Sequence, residues 1–195
     1  LTFTQFESLT TGAGNDDVDV NTDIMIELAT GSGTDTVDIA ASTTLTAANV
    51  DLGDDDDTLT LAANAQLTGA VTAGAGADTI TLNDQASIGG AVAGGADADT
   101  LSFAGFTTQR DVTLTAAPAD GFTGTEAALN GGAAAGFTGI DEVIGGAGTT
   151  DILSGIAGDA ATWRIDGNSR YVTGTDQVFF SNFEDLRAST ANDTF

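Results

Sequence analysis

The chain contains no cysteine and no histidine, and its only four cations are arginines: Arg110, Arg164, Arg170 and Arg187. Without cysteine there is neither a disulfide framework nor a thiolate metal site. Without histidine or lysine there is no imidazole or amine to act on an acidic substrate, and no zinc, phosphate-loop or nucleophile-elbow motif appears. No apolar run approaches the ~20 residues that cross a bilayer as a helix, so no direct membrane insertion is expected. Proline occurs once, at Pro118, and aromatics make up 6% of the 195 residues. Against the four cations stand 29 Asp and Glu, a net charge of −25. That charge repels nucleic acid and anionic lipid, attracts divalent cations, and works against the compact state unless counter-ions relieve it.

What is present is a repeat. "GAGNDDVDV" (Gly12–Val20) returns as "GSGTDTVDI" (Gly31–Ile39), "GDDDDTLTL" (Gly53–Leu61), "GAGADTITL" (Gly74–Leu82) and "GADADTLSF" (Gly95–Phe103). The shared form is G-x-G-x-D-x-U-x-U, with U apolar. Its aspartates, Asp16, Asp35, Asp57, Asp78 and Asp99, are 19, 22, 21 and 21 residues apart. A fixed period near 20 marks a solenoid. Val18, Val37, Leu59, Ile80 and Leu101 align, as do Val20, Ile39, Leu61, Leu82 and Phe103. A third column reads Ile26, Leu45, Leu67 and Ile88, and a fourth Val50, Val71 and Val92. Spacing of two within the first pair is strand spacing, with Thr, Asp or Ser facing out. One coil cannot bury its own apolar row, but the next coil stacked on it can. The expected fold is therefore all-β, a right-handed parallel β-solenoid with coils of about 21 residues. At ~4.8 Å per coil, roughly nine coils give a rod about 45 Å long.

The whole of 1–195 reads as a single solenoid segment of a longer repetitive protein. Regular coils are expected over 12–105, irregular coils or loops over 106–136, and further coils over 137–195. The middle stretch loses register and holds Pro118 and "NGGAAAG" (Asn130–Gly136). Phe3–Asp16, Phe137–Asp151 and Phe180–Asp193 share an F-x-x-[FI]-[DE]-x-[LV] module, so the segment begins and ends alike, as a cut from a tandem array would. Trp163–Val178 reads as a hairpin or wide coil. Its aromatics and arginines make Trp163–Arg170 the first place to look for a contact.

In the G-x-G-x-D turn the glycines permit positive φ and the aspartate adds a carboxylate. Stacked turns bring like charges within ~5 Å, where they repel unless an ion sits between them. Calcium, which takes six to eight oxygens, suits carbonyls and carboxylates from two stacked turns. The motif resembles the nonapeptide of the RTX (repeats in toxin) family, whose β-roll binds calcium between successive turns. Here only one such turn appears per coil, which is similar to the calcium-stacked solenoids of marine RTX adhesins. The resemblance implies several calcium ions held around Asp16, Asp35, Asp55, Asp57, Asp78, Asp97 and Asp99 with Gly14, Gly33 and Gly76. Asp55 and Asp97 replace the second glycine, and Thr150 takes the aspartate slot of the Gly146 turn. The alternative for this acidic face is a solvated row of turns with no metal.

Further out, Thr36, Thr58, Thr79 and Thr100 form one column and Asp38, Thr60, Thr81 and Ser102 its neighbour. Repeated Thr-x-Thr resembles the faces of ice-binding solenoids, although threonine is also a good exposed strand residue. The acids fall on repeat positions, where a catalytic set would break the repeat, so no catalytic residue is assigned. The expected role is structural: an extracellular protein of a bacterial surface, part of an adhesin stalk, filament or surface layer. The partners expected are neighbouring repeats, copies of the same protein, or cell-surface glycans.

Overall fold

Alternating apolar residues give strands, and the glycine-rich corners turn each strand into the next. A computed structural model describes residues 7–129, 136–148 and 150–195, and its ordered elements are all strands. The start of the first phenylalanine module (Phe3, Phe6) and most of the Asn130–Gly136 run lie outside the described residues. Five turns of β-solenoid stack along the first half, the first four built from three short strands each and the fifth from two.

The first face stacks β1 (Ser8–Ala13), β4 (Glu27–Ser32), β7 (Asn49–Asp54), β10 (Ala70–Ala75) and β13 (Val92–Ala96), all parallel. The second stacks β2 (Asp17–Val20), β5 (Thr36–Ile39), β8 (Thr58–Leu61), β11 (Thr79–Asn83) and β14 (Thr100–Gly105), also parallel. A narrow third face holds β3 (Ile24–Met25), β6 (Thr44–Thr46), β9 (Gln66–Leu67) and β12 (Ser87–Ile88).

Register follows the apolar columns. Val18, Val37, Leu59, Ile80 and Leu101 lie opposite one another, and all but Val18 are buried. Leu9, Leu28, Val50, Val71 and Val92 form the column on the first face. The third column needs a correction. Ile24 rather than Ile26 sits opposite Leu45, because the first coil is 19 residues long and slips by two. A slip of two keeps the same side chains facing inward, so the core survives it.

The corner glycines are fixed by contact between coils. Gly12, Gly31, Gly53, Gly74 and Gly95 all have φ between 110° and 121°. A Cβ on any of the last four would run into the carbonyl of the glycine one coil before. Backbone stacks directly on backbone here, which only glycine permits.

The second half departs from plain coils. β15 (Asp111–Ala116) and β16 (Phe122–Thr125) form an antiparallel hairpin within the stretch expected to be irregular coils or loops. The chain then returns in β17 (Phe137–Ile140), parallel to β13 and antiparallel to β16, and β18 (Glu142–Ile144), which continues the second face. β19 (Ile152–Ser154) and β23 (Asp185–Arg187) build a short parallel stack on β15. β20 (Thr162–Arg164), β21 (Arg170–Thr173) and β22 (Asp176–Ser181) complete the second face, the last two pairings antiparallel. The expected nine coils are thus five, because antiparallel hairpins use the residues that four further coils would need.

The hairpin expected around Asp166–Asn168 is present, but Trp163 and Tyr171 are buried, their ring centroids 4.8 Å apart. Trp163 and Tyr171 thus belong to an aromatic core, while Arg164, Ile165 and Asp166 beside them are exposed. The glycine argument predicts that Gly74→Ala lowers stability by at least about 1–3 kcal/mol, the strain of a forbidden backbone conformation. Gly167→Ala, whose Cβ meets nothing, should stay within about 0.5 kcal/mol. Thermal denaturation of the two variants compares them directly.

Candidate cation site

The turn from first face to second face places the repeat aspartate on the inside of a tight corner. Gly14, Gly33 and Gly76 turn the chain there with φ of 107°, 113° and 126°. Asp55 and Asp97 occupy the same column with φ of 77° and 75°, a conformation aspartate tolerates better than most residues.

Inside the corner the aspartates form a hydrogen-bonded ladder of fixed polarity. The amide N–H of Asp16 donates to Asp35 Oδ1 at 2.7 Å, Asp35 to Asp57 Oδ1 at 2.7 Å, and Asp57 to Asp78 Oδ1 at 2.8 Å. Asp78 donates to Asp99 Oδ1 at 2.9 Å, and Asp99 to Asp141 Oδ2 at 3.3 Å. Each carboxylate therefore satisfies the corner amide of the coil before it. Such an amide, buried and unpartnered, would cost about 1–3 kcal/mol.

The second oxygen of each rung has no such partner. Oδ2 of Asp16, Asp35, Asp57, Asp78 and Asp99 is buried without a hydrogen bond. Asp35, Asp57, Asp78 and Asp99 are wholly buried, at 0–1% exposure. Burial pushes the carboxyls of Asp57 and Asp78 up to about 6 and that of Asp99 up to about 7. Amide donation pulls the other way, and neighbouring carboxylates add to the rise. Asp141 is raised too, again chiefly by burial.

Of the ten residues expected to surround cations, Asp16, Asp35, Asp57, Asp78 and Asp99 are brought into one row. Gly14, Gly33 and Gly76 shape the corner beside it. Asp55 and Asp97 stand exposed at the corner's tip, outside the buried row. Asp55 Oδ2 instead accepts the Gly33 N–H at 3.1 Å, and Asp56 Oδ1 accepts the Ala77 N–H at 2.8 Å. The four adjacent acids Asp54–Asp57 are thus partly committed to backbone amides of the coils on either side.

Two rungs escaped sequence reading. Asp151 is buried with an unpartnered Oδ2, and its Oδ1 accepts the Arg110 N–H at 2.6 Å. Its own N–H donates to Glu184 Oε2 at 2.8 Å. This second, shorter ladder belongs to the β15–β19–β23 stack. A one-residue insertion in "GAGTTD" (Gly146–Asp151) moved the aspartate from the expected slot, so allowing one residue of slippage would have found it. The phenylalanine module also acquires a function. Asp141 and Glu184 take equivalent places in two of its copies, and each accepts the N–H of the last ladder aspartate. The amides of Asp141 and Glu142 return to the Asp99 carbonyl, and those of Glu184 and Asp185 to the Asp151 carbonyl. The module terminates a ladder.

No protein-family model matches the chain, and no curated protein or solved structure matches it. The site is judged on its own donors. Among the described residues no three acidic side chains converge on one point. A cation in the row would take an unpartnered carboxylate oxygen and fill its remaining positions with backbone carbonyls and water. An all-oxygen set of that kind suits calcium and not a soft metal.

Two predictions test the ladder itself. Asp78→Asn keeps an acceptor for the Asp57 amide and removes a buried charge, whereas Asp78→Ala leaves that amide unpaired. In chelator, Ala should cost about 1–3 kcal/mol by denaturant unfolding and Asn markedly less. The second concerns pH. A carboxyl whose pKa is raised by folding binds its proton more tightly in the folded chain. Its stabilisation is full below the unfolded value near 4 and is lost as pH rises through 6 to 7. The chelated protein should therefore melt at a higher temperature at about pH 5 than at about pH 8. Asp99→Asn should flatten that slope.

Proposed function

We propose that the chain is a stiff structural element of an extracellular bacterial surface, part of an adhesin stalk, filament or surface layer, whose stacked corners bind calcium. The observation that carries this reading is the row of buried carboxylates, each with one oxygen committed to an amide and one unpartnered. In a chain of net charge −25, such a row is held together better by bound cations than by ionised carboxylates alone. Ions shared between consecutive turns would tie coil to coil and stiffen the rod along its axis. The acids follow the repeat and serve the backbone, which favours a mechanical or interactive role over a catalytic one.

Calorimetric titration with calcium, paired with melting at about pH 8 in excess calcium and then in chelator, tests this proposal. Saturable binding and a raised melting temperature are expected, with the pH slope of the chelated protein abolished. Identical melting in both conditions would reject the cation row.

A second reading rests on the outward side of the second face. Thr36, Thr58, Thr79 and Thr100 stand in strict register, beside Thr60 and Thr81. That array resembles an ice-binding surface, but Asp17 precedes the column and Glu142 follows it. Ice-crystal shaping by the purified chain, abolished by Thr58→Tyr, would establish this reading in place of the structural one.

A further inference from the structure

In the regular coils the outward positions of the second face are polar. On β2, β5, β8 and β11 they are Asp, Thr and Asn throughout. The face changes at β18, β22 and β21, where Ile144, Phe179 and Val172 take outward positions and are half-buried. All three strands are paired on both sides. The patch therefore lies on the broad side of the sheet, which stacking of further coils at either end would leave open.

Phe179 stands at its centre. Register places Arg170 opposite it on one side and Glu142 on the other. Its neighbours in the chain, Val178 and Phe180, are buried in the core, and the Phe180 ring centroid lies 5.9 Å from that of Trp163. Phe179, Ile144 and Val172 stand outside that core cluster. A cavity of about 210 Å³ opens beside the ring, among Thr100, Asp141, Glu142, Gln177 and Phe179. Glu142 has no ion pair among the described residues. Arg170 commits Nη1 to the Asn168 carbonyl at 2.7 Å and stands 3.7 Å from Asp166, which leaves it further N–H donors.

We propose that this patch binds an uncharged sugar ring of a glycan, stacked on Phe179 with its hydroxyls reaching into the cavity. The charges on either side of the ring select against ionic ligands. Arg170 repels a cationic group, and Glu142 and Asp141 repel a carboxylate or sulfate. The ligand that fits is neutral, has one apolar face for the phenyl ring, and carries both donors and acceptors at its rim. A pyranose has that form, with C–H groups on its face and hydroxyls that both donate and accept. Glu142 and Asp141 accept from such hydroxyls, Arg170 donates, and Gln177 and Thr100 do both. The cavity is smaller than the ~300–1,000 Å³ pockets of drug-sized molecules, so it takes one ring. Ile144 and Val172 extend the apolar surface for adjoining rings. The proposal deepens the cell-surface reading above and rests on it only for where a glycan is met.

The test is an NMR titration of the full chain with methyl glucoside, galactoside, mannoside and N-acetylglucosaminide, against methyl glucuronide and glucosamine as charged probes. Saturable binding of at least one uncharged probe at about 1–10 mM is expected, with shifts confined to residues 98–100, 141–144, 170–172 and 177–179. Phe179→Ala should weaken binding at least about tenfold and Glu142→Ala about fivefold, whereas Phe179→Trp keeps a ring and should retain it. Melting followed by circular dichroism establishes that the variants are folded. No saturable shift with any uncharged probe at about 50 mM, tighter binding of glucuronide or glucosamine, or affinity unchanged by Phe179→Ala would each overturn the proposal. Sugar binding that persists in chelator while melting ignores calcium would reject the cation row and still support this site.

Discussion

A solenoid corner turns so tightly that the amide on its inner side faces neither water nor a strand. In this chain that amide is the N–H of the repeat aspartate, and a carboxylate from the next coil answers it. Much else depends on that interaction. It sets which side chain points into the corner and links each coil to its neighbour in one direction only. It also requires the acids to recur at the coil period, since each rung serves the coil before it. The apolar columns supply most of the burial. Between strands whose side chains are interchangeable Val, Ile and Leu, the ladder adds a polar marker of register.

The same interaction creates the electrostatic problem. A carboxylate has more acceptor capacity than one amide uses, and burial leaves the second oxygen unanswered. Raised proton affinity at Asp57, Asp78 and Asp99 is the physical expression of that deficit, and a proton or a cation are the two ways to answer it. The exposed acids at the tips differ, for they are solvated, and Asp55 and Asp56 accept amides of adjacent coils. Acid content alone therefore says little about cation binding. Burial separates Asp57 and Asp78 from Asp54 and Asp56, although all share the same composition.

The second half of the molecule uses the ladder with different topology. Antiparallel hairpins break the coil path, yet Asp151 and Glu184 repeat the arrangement of Asp99 and Asp141 on β15, β19 and β23, which extend the first-face sheet. Arg110 ties the excursion down, its guanidinium 3.1 Å from the buried Glu126 and 4.2 Å from the Phe106 ring centre. The aromatic cluster of Trp163, Tyr171 and Phe180 fills the wider space that irregular strands leave.

By itself the sequence determined the coil: its period, its apolar columns, its glycine corners and the aspartate within each corner. Those features are local and repeat, so alignment of the chain with itself reveals them. It could not show what the aspartates do, because the partner of each carboxylate lies about 21 residues away and depends on which way the side chain turns. Only the tertiary structure separated the two oxygens of each buried rung from Asp35 to Asp99, one bonded and one unanswered. It also decided the number of coils, since hairpin and coil use the same alternating residues and only pairing across long distances distinguishes them.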